Sequence, residues 1–273
     1  MTISELLSLG KNELEKNNID NSQSEALWLL ENTLDCTYTH IMLNGNCEVT
    51  KEQEAGYKAD IKKRIDGTPV QYIIGEWEFY GREFKVGEGV LIPRPETELL
   101  VDYALEYLKA IKNPVVIDLC AGTGCIGITV ALERPDATVY SVEKYDEAFA
   151  YLKENSKNLT NIKLIQGDVL TSLESMGLPK ADLVLSNPPY IKSDEVPQLQ
   201  SEVLLEPHTA LDGGEDGLIF YRAIRNSLDA ICKGNAAMEC GDEQTEAISS
   251  LFGNCKIIKD FAGINRVVVF EGE

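Results

Sequence analysis

Apolar residues near the start of the chain recur with helical spacing. Leu6, Leu7 and Leu14 fall on one side of a 3.6-residue repeat, as do Ala26, Leu27, Leu29, Leu30 and Leu34, which predicts two helices. A third helical stretch is expected from about Thr50 to Ile65, stopped by Gly67-Thr68-Pro69. Asn21 and Ser22 are candidate caps for the second helix, with Glu25 placed three residues after Ser22 to close a capping box. Residues 1 to about 66 therefore read as a small helical bundle.

The pattern changes after Gly75. Trp77, Phe79, Phe84, Val86 and Val90 stand among glycine and polar residues, and Tyr80-Gly81-Arg82 reads as a turn, so a β-hairpin is expected between two domains. Pro93-Arg94-Pro95 opens a helix predicted from about Glu96 to Ala110, with Leu99, Leu100, Tyr103 and Tyr107 on its apolar side. From Pro114 onward, short apolar runs alternate with helical patterns. The strand candidates lie at 115–117, 138–142, 162–165, 183–185, 236–238, 256–258 and 266–270. Such alternation implies a mostly parallel sheet with helices on both faces. Residues 191–213 form a polar, proline-containing connection, too long to be a plain turn and expected to be functional or flexible.

Composition narrows the classes. The 273-residue chain is 44% hydrophobic but has no apolar run of membrane-spanning length. Its first residues lack the basic start and apolar stretch of a signal peptide. Seven cysteines with no CxxC pair argue against a disulfide framework and for a reducing cytoplasm. His40 and His208 have no neighbour at metal-ligand spacing, so no metal site is expected. The net charge of -20 disfavours direct DNA binding, because Lys62-Lys63-Arg64 is too short a basic run to offset it. An acidic surface suits small molecules or a basic protein partner.

The first strand runs through Asp118-Leu119 into Cys120-Ala121-Gly122-Thr123-Gly124-Cys125-Ile126-Gly127, where Gly122, Gly124 and Gly127 match G-x-G-x-x-G. Glu143 closes the second strand, where a ribose-binding carboxylate belongs. Asp168, after the third strand, is either an adenine contact or a helix cap. Nicotinamide-dependent dehydrogenases and AdoMet-dependent methyltransferases share this arrangement. The fourth strand ends in Asn187-Pro188-Pro189-Tyr190, at the edge where open α/β sheets bind ligands. Asn187 offers a carbonyl acceptor, the two prolines stiffen the backbone and offer only acceptors, and Tyr190 offers an aromatic face. Two acceptors can hold the two hydrogens of a conjugated NH2 and aim its nitrogen at a methyl donor. A dehydrogenase has no use for that pair. The exocyclic amine of adenine and the side-chain amide of glutamine both remain open as acceptors.

Three further segments carry a family resemblance. They are Gly75-Glu76-Trp77-Glu78-Phe79-Tyr80-Gly81, Leu91-Ile92-Pro93-Arg94-Pro95-Glu96-Thr97-Glu98, and Glu206-Pro207-His208-Thr209-Ala210-Leu211-Asp212-Gly213-Gly214-Glu215-Asp216-Gly217. Together with the glycine turn and Asn187-Pro188-Pro189-Tyr190, they resemble the HemK family, the peptide chain release factor N5-glutamine methyltransferases. The resemblance runs along nearly the whole chain, and Ile92 to Glu98 is its most specific part. It implies an α/β fold, the class I AdoMet-dependent methyltransferase fold: Rossmann-like, with a mostly parallel seven-stranded sheet, a small N-terminal helical bundle and a connecting β-hairpin. The implied domains are 1–73 for substrate recognition, 74–92 for the hairpin and 93–273 for methyl transfer. The implied substrates are bacterial class 1 release factors, methylated on the glutamine of a Gly-Gly-Gln motif; a ribosomal protein glutamine and an adenine in RNA are the alternatives. S-adenosyl-L-methionine (AdoMet) would be held by Asp118, Cys120, Ala121, Gly122, Thr123, Gly124, Glu143, Asp168, Val169 and Asn187. The glutamine would be held by Asn187, Pro188, Pro189 and Tyr190, with Asn187, Pro188 and Tyr190 catalytic. Two positions depart from the family pattern: Cys120-Ala121 stands where Gly-Thr is usual, and His208 where Arg is usual.

Overall fold

The computed structural model describes residues 1–171, 173–253 and 255–272. The chain divides into two compact units, Met1–Glu76 with Ser201–Leu205, and Trp77–Gln200 with Glu206–Glu273.

The first unit is helical. Helix α1 (Ile3–Lys16) starts where Thr2 Oγ1 accepts from the Glu5 N–H while the Glu5 carboxylate accepts from the Thr2 N–H, a reciprocal cap. Helices α2 (Ser22–Leu34), α3 (Tyr38–Leu43), α4 (Lys51–Ile65) and α5 (Val70–Ile74) follow. Leu6, Leu14, Ala26, Leu29, Leu30, Tyr57 and Ile61 form one buried cluster, so the helical repeat marks the true core face. The cap expected on α2 is not made. Asn21 forms no side-chain cap bond, and Glu25 turns inward to Arg64, which is only 1% exposed. A buried guanidinium needs an anion more than an exposed helix end needs a cap. Glu202, on the 201–205 segment, pairs with the same Arg64.

A hairpin of β1 (Glu76–Phe79) and β2 (Arg82–Lys85) follows, its first residue ending the first unit and the rest belonging to the second. Tyr80 and Gly81 both take positive φ, 54° and 68°, the left-handed pair that a tight two-residue hairpin requires. A 3-10 turn at Pro95–Thr97 leads into α6 (Glu98–Leu108), so the α-helix begins two residues later than expected and ends two earlier. The alternation then unfolds as β3 (Val115–Leu119), α7 (Cys125–Glu133), β4 (Thr138–Glu143), α8 (Asp146–Ser156), β5 (Ile162–Gln166), β6 (Ala181–Ser186), α9 (Ile219–Ile231), β7 (Cys232–Glu239), α10 (Thr245–Phe252), β8 (Cys255–Lys259) and β9 (Asn265–Phe270). Seven strands form one sheet in the order β5-β4-β3-β6-β7-β9-β8, parallel except for β9, which runs antiparallel to both neighbours. Both faces are buried: Val116, Leu183 and Leu185 pack under α6 and α7, and Ile117, Val184 and Met238 pack under α9 and α10. This two-sided burial explains the nearly continuous apolar runs of the central strands.

Successive strands lead away from β3 in opposite directions, β4 and β5 one way and β6 and β7 the other. Such a switch point leaves a crevice at the carboxyl ends of the strands. In register, Leu119 lies between Val142 and Ser186, so the segments leaving β3 and β6 start side by side. The 191–213 connection is built of short 3-10 turns and closes on itself through a bridge between Ile191 and Asp212.

Candidate active site

The turn after β3 is wound tightly enough to require left-handed backbone at Cys120 (φ 59°), Gly122 (φ 55°) and Gly124 (φ 83°). Glycine accepts this freely; Cys120 adopts it against its own side chain. The Ala121 N–H donates to the Val142 carbonyl at 3.0 Å, anchoring the turn to β4. Gly127 then lets α7 press onto the sheet. A Cβ there would lie 2.5 Å from Ser141 Oγ and 2.8 Å from Asp118 Oδ2. The Gly127 N–H donates to Asp118 Oδ2 at 3.0 Å. Asp118 is thus buried beneath the turn rather than open to the crevice. Burial, with Glu143 nearby, pushes its carboxyl up to about 7, against the pull of the Gly127 N–H.

Glu143 sits at the end of β4 with its carboxylate fixed by three backbone donors: Gly122 N at 2.9 Å, Lys144 N at 2.7 Å and Tyr145 N at 2.9 Å. That grip holds a charged acceptor at the crevice wall. Asp168 accepts from the Leu170 N–H at 2.9 Å and pairs with Lys144 Nζ at 2.9 Å. Burial works to raise its pKa, but the Lys144 ammonium and this N–H hold it below the ordinary carboxylate value. Asp168 therefore caps a turn rather than a helix, and it also lines the crevice. Val169 is buried beside it and supplies an apolar surface.

Asn187 follows β6. Ser186 Oγ donates to the Leu119 carbonyl at 2.8 Å and ties the start of Asn187-Pro188-Pro189-Tyr190 to the start of the glycine turn. The rest of the tetrapeptide is held from behind. Gln244 Nε2 donates to the Tyr190 carbonyl at 2.8 Å, and Gly213 packs on the backbone so closely that a Cβ would fall 2.7 Å from Tyr190 Cα. The Asn187 amide nitrogen donates to Thr97 Oγ1 at 3.1 Å. Thr97 in turn donates to Glu239 Oε2 at 2.6 Å, and the Tyr190 hydroxyl reaches Glu239 Oε1 at 3.4 Å. Burial pushes the Glu239 carboxyl up to about 7, although Thr97, Arg266 and Tyr190 oppose the shift.

These elements line a cleft open to solvent. Of the sequence-predicted residues, Cys120, Ala121, Gly122, Thr123, Glu143, Asp168, Val169, Asn187 and Pro189 line it. Asp118, Gly124, Pro188 and Tyr190 are not among its lining residues. A Cβ on Gly122 would meet only Val90, at 3.9 Å, so the turn presents open backbone to whatever enters. The donor set suits a nucleoside: a fixed carboxylate for vicinal hydroxyls, apolar Val142, Ile126 and Val169 for a flat base, and a glycine turn for close approach. Arg94 and Thr97 are further wall residues. Arg94 pairs with the buried Glu206, which also accepts from the Ile92 N–H at 2.9 Å, so the 92–97 and 206–210 segments are fastened together along the cavity. Thr97 lies within the Ile92 to Glu98 segment that carries the family resemblance, but nothing in that segment gave it a role, and only the position of Glu239 at the carboxyl end of a strand hinted at the site.

The strand order, the glycine turn with Glu143, and Asn187-Pro188-Pro189-Tyr190 beside it define a methyltransferase of the class I fold. Residues 5–75 match the family described as "PrmC N-terminal domain", and residues 96–225 match "Methyltransferase small domain". The chain is 38% identical to the release factor glutamine methyltransferase of Thermodesulfovibrio yellowstonii, over 83% of this chain and 84% of that protein. It is 36% identical to the release factor glutamine methyltransferase of Bacillus anthracis over 100% of both chains. Among solved structures, the hMettl16 catalytic domain in complex with MAT2A 3'UTR hairpin 6 shares the fold with a TM-score of 0.58 at 16% identity, covering 78% of this chain and 82% of that one. The chain belongs to the release factor glutamine methyltransferase family. Among the described residues, no helix is long and apolar enough to cross a membrane, and no group of three or more His, Cys, Asp or Glu could hold a metal ion.

Proposed function

We propose that this methyltransferase uses AdoMet to methylate the side-chain amide nitrogen, N5, of the glutamine in the Gly-Gly-Gln motif of bacterial class 1 release factors, in the cytoplasm. One observation carries the reading: the Asn187 amide nitrogen is already engaged by Thr97, which leaves its oxygen as the acceptor at a cavity suited to a nucleoside. Glu143 would take the ribose hydroxyls, Val169 and Asp168 the adenine, and the Cys120–Gly124 turn the amino-acid end. When bound, AdoMet supplies a methyl group on a sulfonium, activated enough that no strong base is needed.

The residues of this chain then have a narrow task. A glutamine amide nitrogen is a weak nucleophile because its lone pair is delocalised into the carbonyl. Asn187 Oδ1 and the Pro188 carbonyl accept its two hydrogens, fix the NH2 in line with the methyl group and stabilise positive charge as it grows on nitrogen. The C–S bond breaks as the N–C bond forms. The nitrogen then loses a proton to solvent, leaving N5-methylglutamine and S-adenosyl-L-homocysteine. Proline at positions 188 and 189 presents carbonyls without competing N–H donors. The helical first unit would grip the release factor, and a net charge of -20 complements a partner that works against RNA and exposes basic surface.

The test is transfer of labelled methyl from AdoMet to purified release factor, intact or with the glutamine of Gly-Gly-Gln changed to alanine. Label is expected on the intact factor alone. Equal labelling of the alanine variant would overturn the glutamine assignment.

A further inference from the structure

We infer that Thr97 and Glu239 are positioning residues that decide which face of the Asn187 amide meets the acceptor nitrogen, an inference that rests on the glutamine reading above. Neither would touch the substrate amide itself in this role.

An asparagine side chain can present oxygen or nitrogen with little change of shape, so something outside it must choose. Glu239, at the end of β7, is 3% exposed, and as a carboxylate it has only acceptors to offer. Thr97 Oγ1 lies 2.6 Å from Glu239 Oε2 and has one hydrogen, which must therefore point at Glu239. The same oxygen is then left with lone pairs alone, so the Asn187 atom 3.1 Å away must be the NH2 group. The Asn187 oxygen faces the other way as a consequence. The Tyr190 hydroxyl, 3.4 Å from Glu239 Oε1, adds a longer donor contact on the other oxygen. Only acceptor chemistry is then presented to an NH2.

Protonation of Glu239 at Oε2, the oxygen that Thr97 faces, would undo this order. A proton on Oε2 could be donated to Thr97, the Thr97 hydrogen would turn to Asn187, and the amide would flip to show NH2 to an NH2. The groups facing Glu239 are Thr97 and Glu96 from the 3-10 turn, Tyr190 after β6, Arg266 on β9, Cys125 on α7, Tyr221 on α9 and the adjoining Cys240. Burial dominates over the attraction of Arg266, so the carboxyl titrates near 7 and the switch falls in an accessible range.

The experiment compares Thr97→Val, Thr97→Ser, Glu239→Leu and Glu239→Gln with the wild-type protein. Turnover on release factor is measured across pH, AdoMet binding by calorimetry, and the Asn187 NH2 resonances by NMR. Glu239→Leu and Thr97→Val are expected to lose about a hundredfold or more in kcat while AdoMet affinity is essentially unchanged. Glu239→Gln, whose oxygen can still accept from Thr97, and Thr97→Ser are expected to recover about tenfold or more of that loss. Glu239→Gln is also expected to lack the fall in kcat on the acid side of neutrality, a readout that a merely structural role would not move. Near-normal kcat in Glu239→Leu, or an unchanged acid limb in Glu239→Gln, would overturn the inference. Should Glu239→Leu fail to fold, the smaller Thr97→Val change decides. If wild-type protein leaves release factor unmethylated, the glutamine reading falls, and the NMR signals still judge the inference. A shift of the Asn187 NH2 pair in Thr97→Val and Glu239→Leu but not in Glu239→Gln supports it, and invariant signals contradict it.

Discussion

In its proposed role, the Asn187 amide is useful only if its oxygen is presented and stays presented. Replacing Asn187 by alanine removes that acceptor and leaves the pocket walls in place. The expected outcome is a loss of about a hundredfold or more in kcat with AdoMet affinity largely retained, measured by turnover on release factor and by calorimetry. Equal losses in both would mean that Asn187 holds the cofactor rather than the substrate. At this scale the sequence was legible where chemistry and motif coincide: Asn187, Glu143 and the glycine turn were all readable from residue type and place along the chain. Thr97 and Glu239 were not. A threonine before a helix reads as a cap, and a glutamate after Ala236-Ala237-Met238 reads as the solvated end of a strand. Their role depends on a contact across 142 positions of sequence, which no local pattern encodes.

The elements show the same division. Strands β3 and β6, buried on both faces, announce themselves as continuous apolar runs. Only the second half of β7 does so, because Cys232-Lys233-Gly234-Asn235 carries little strand propensity and is drawn into the sheet by pairing with β6. The short helices α3 and α5 also went unread, since six and five residues give too few turns for a repeat to emerge. In the helical unit, Glu25 looked like half of a capping box and is instead an ion-pair partner of Arg64. Glu25→Ala is therefore expected to destabilise the protein by about 3–5 kcal/mol, because it strands a buried guanidinium whose remaining partner, Glu202, is more exposed. Chemical denaturation measures this directly. A cost like that of losing an N-cap, about 1 kcal/mol, would show that the pair matters less than the geometry suggests.

For the molecule as a whole, two buried carboxyls set the response to pH. Asp118 and Glu239 are both pushed up to about 7 by burial. A carboxyl with a raised pKa binds its proton more tightly in the folded chain than in the unfolded one. Its contribution to stability is full below the ordinary carboxylate range and is lost as pH rises through about 7. Surface acids held down by partners, such as Asp260 beside Arg266 and Asp212 beside Ser193, act in the opposite sense, but only as pH falls through the acid range. Between pH 5 and 8 the buried pair dominates, and mutual repulsion in a chain of net charge -20 adds to it. Stability is thus expected to fall from pH 5 to pH 8, by at most about 1.4 kcal/mol per pH unit for each buried carboxyl. Asp118→Asn, which keeps an acceptor for the Gly127 N–H, should flatten the profile in a denaturation series. A steeper fall in that variant would contradict the assignment.

The central claim is the identity of the methylated atom. Tandem mass spectrometry of the Gly-Gly-Gln peptide from release factor incubated with the protein and AdoMet tests it most directly. One added methyl group is expected, carried by the glutamine side-chain nitrogen and missing when Asn187→Ala protein is used. A methyl group on any other residue, or an unmodified peptide beside methylated RNA, would contradict it.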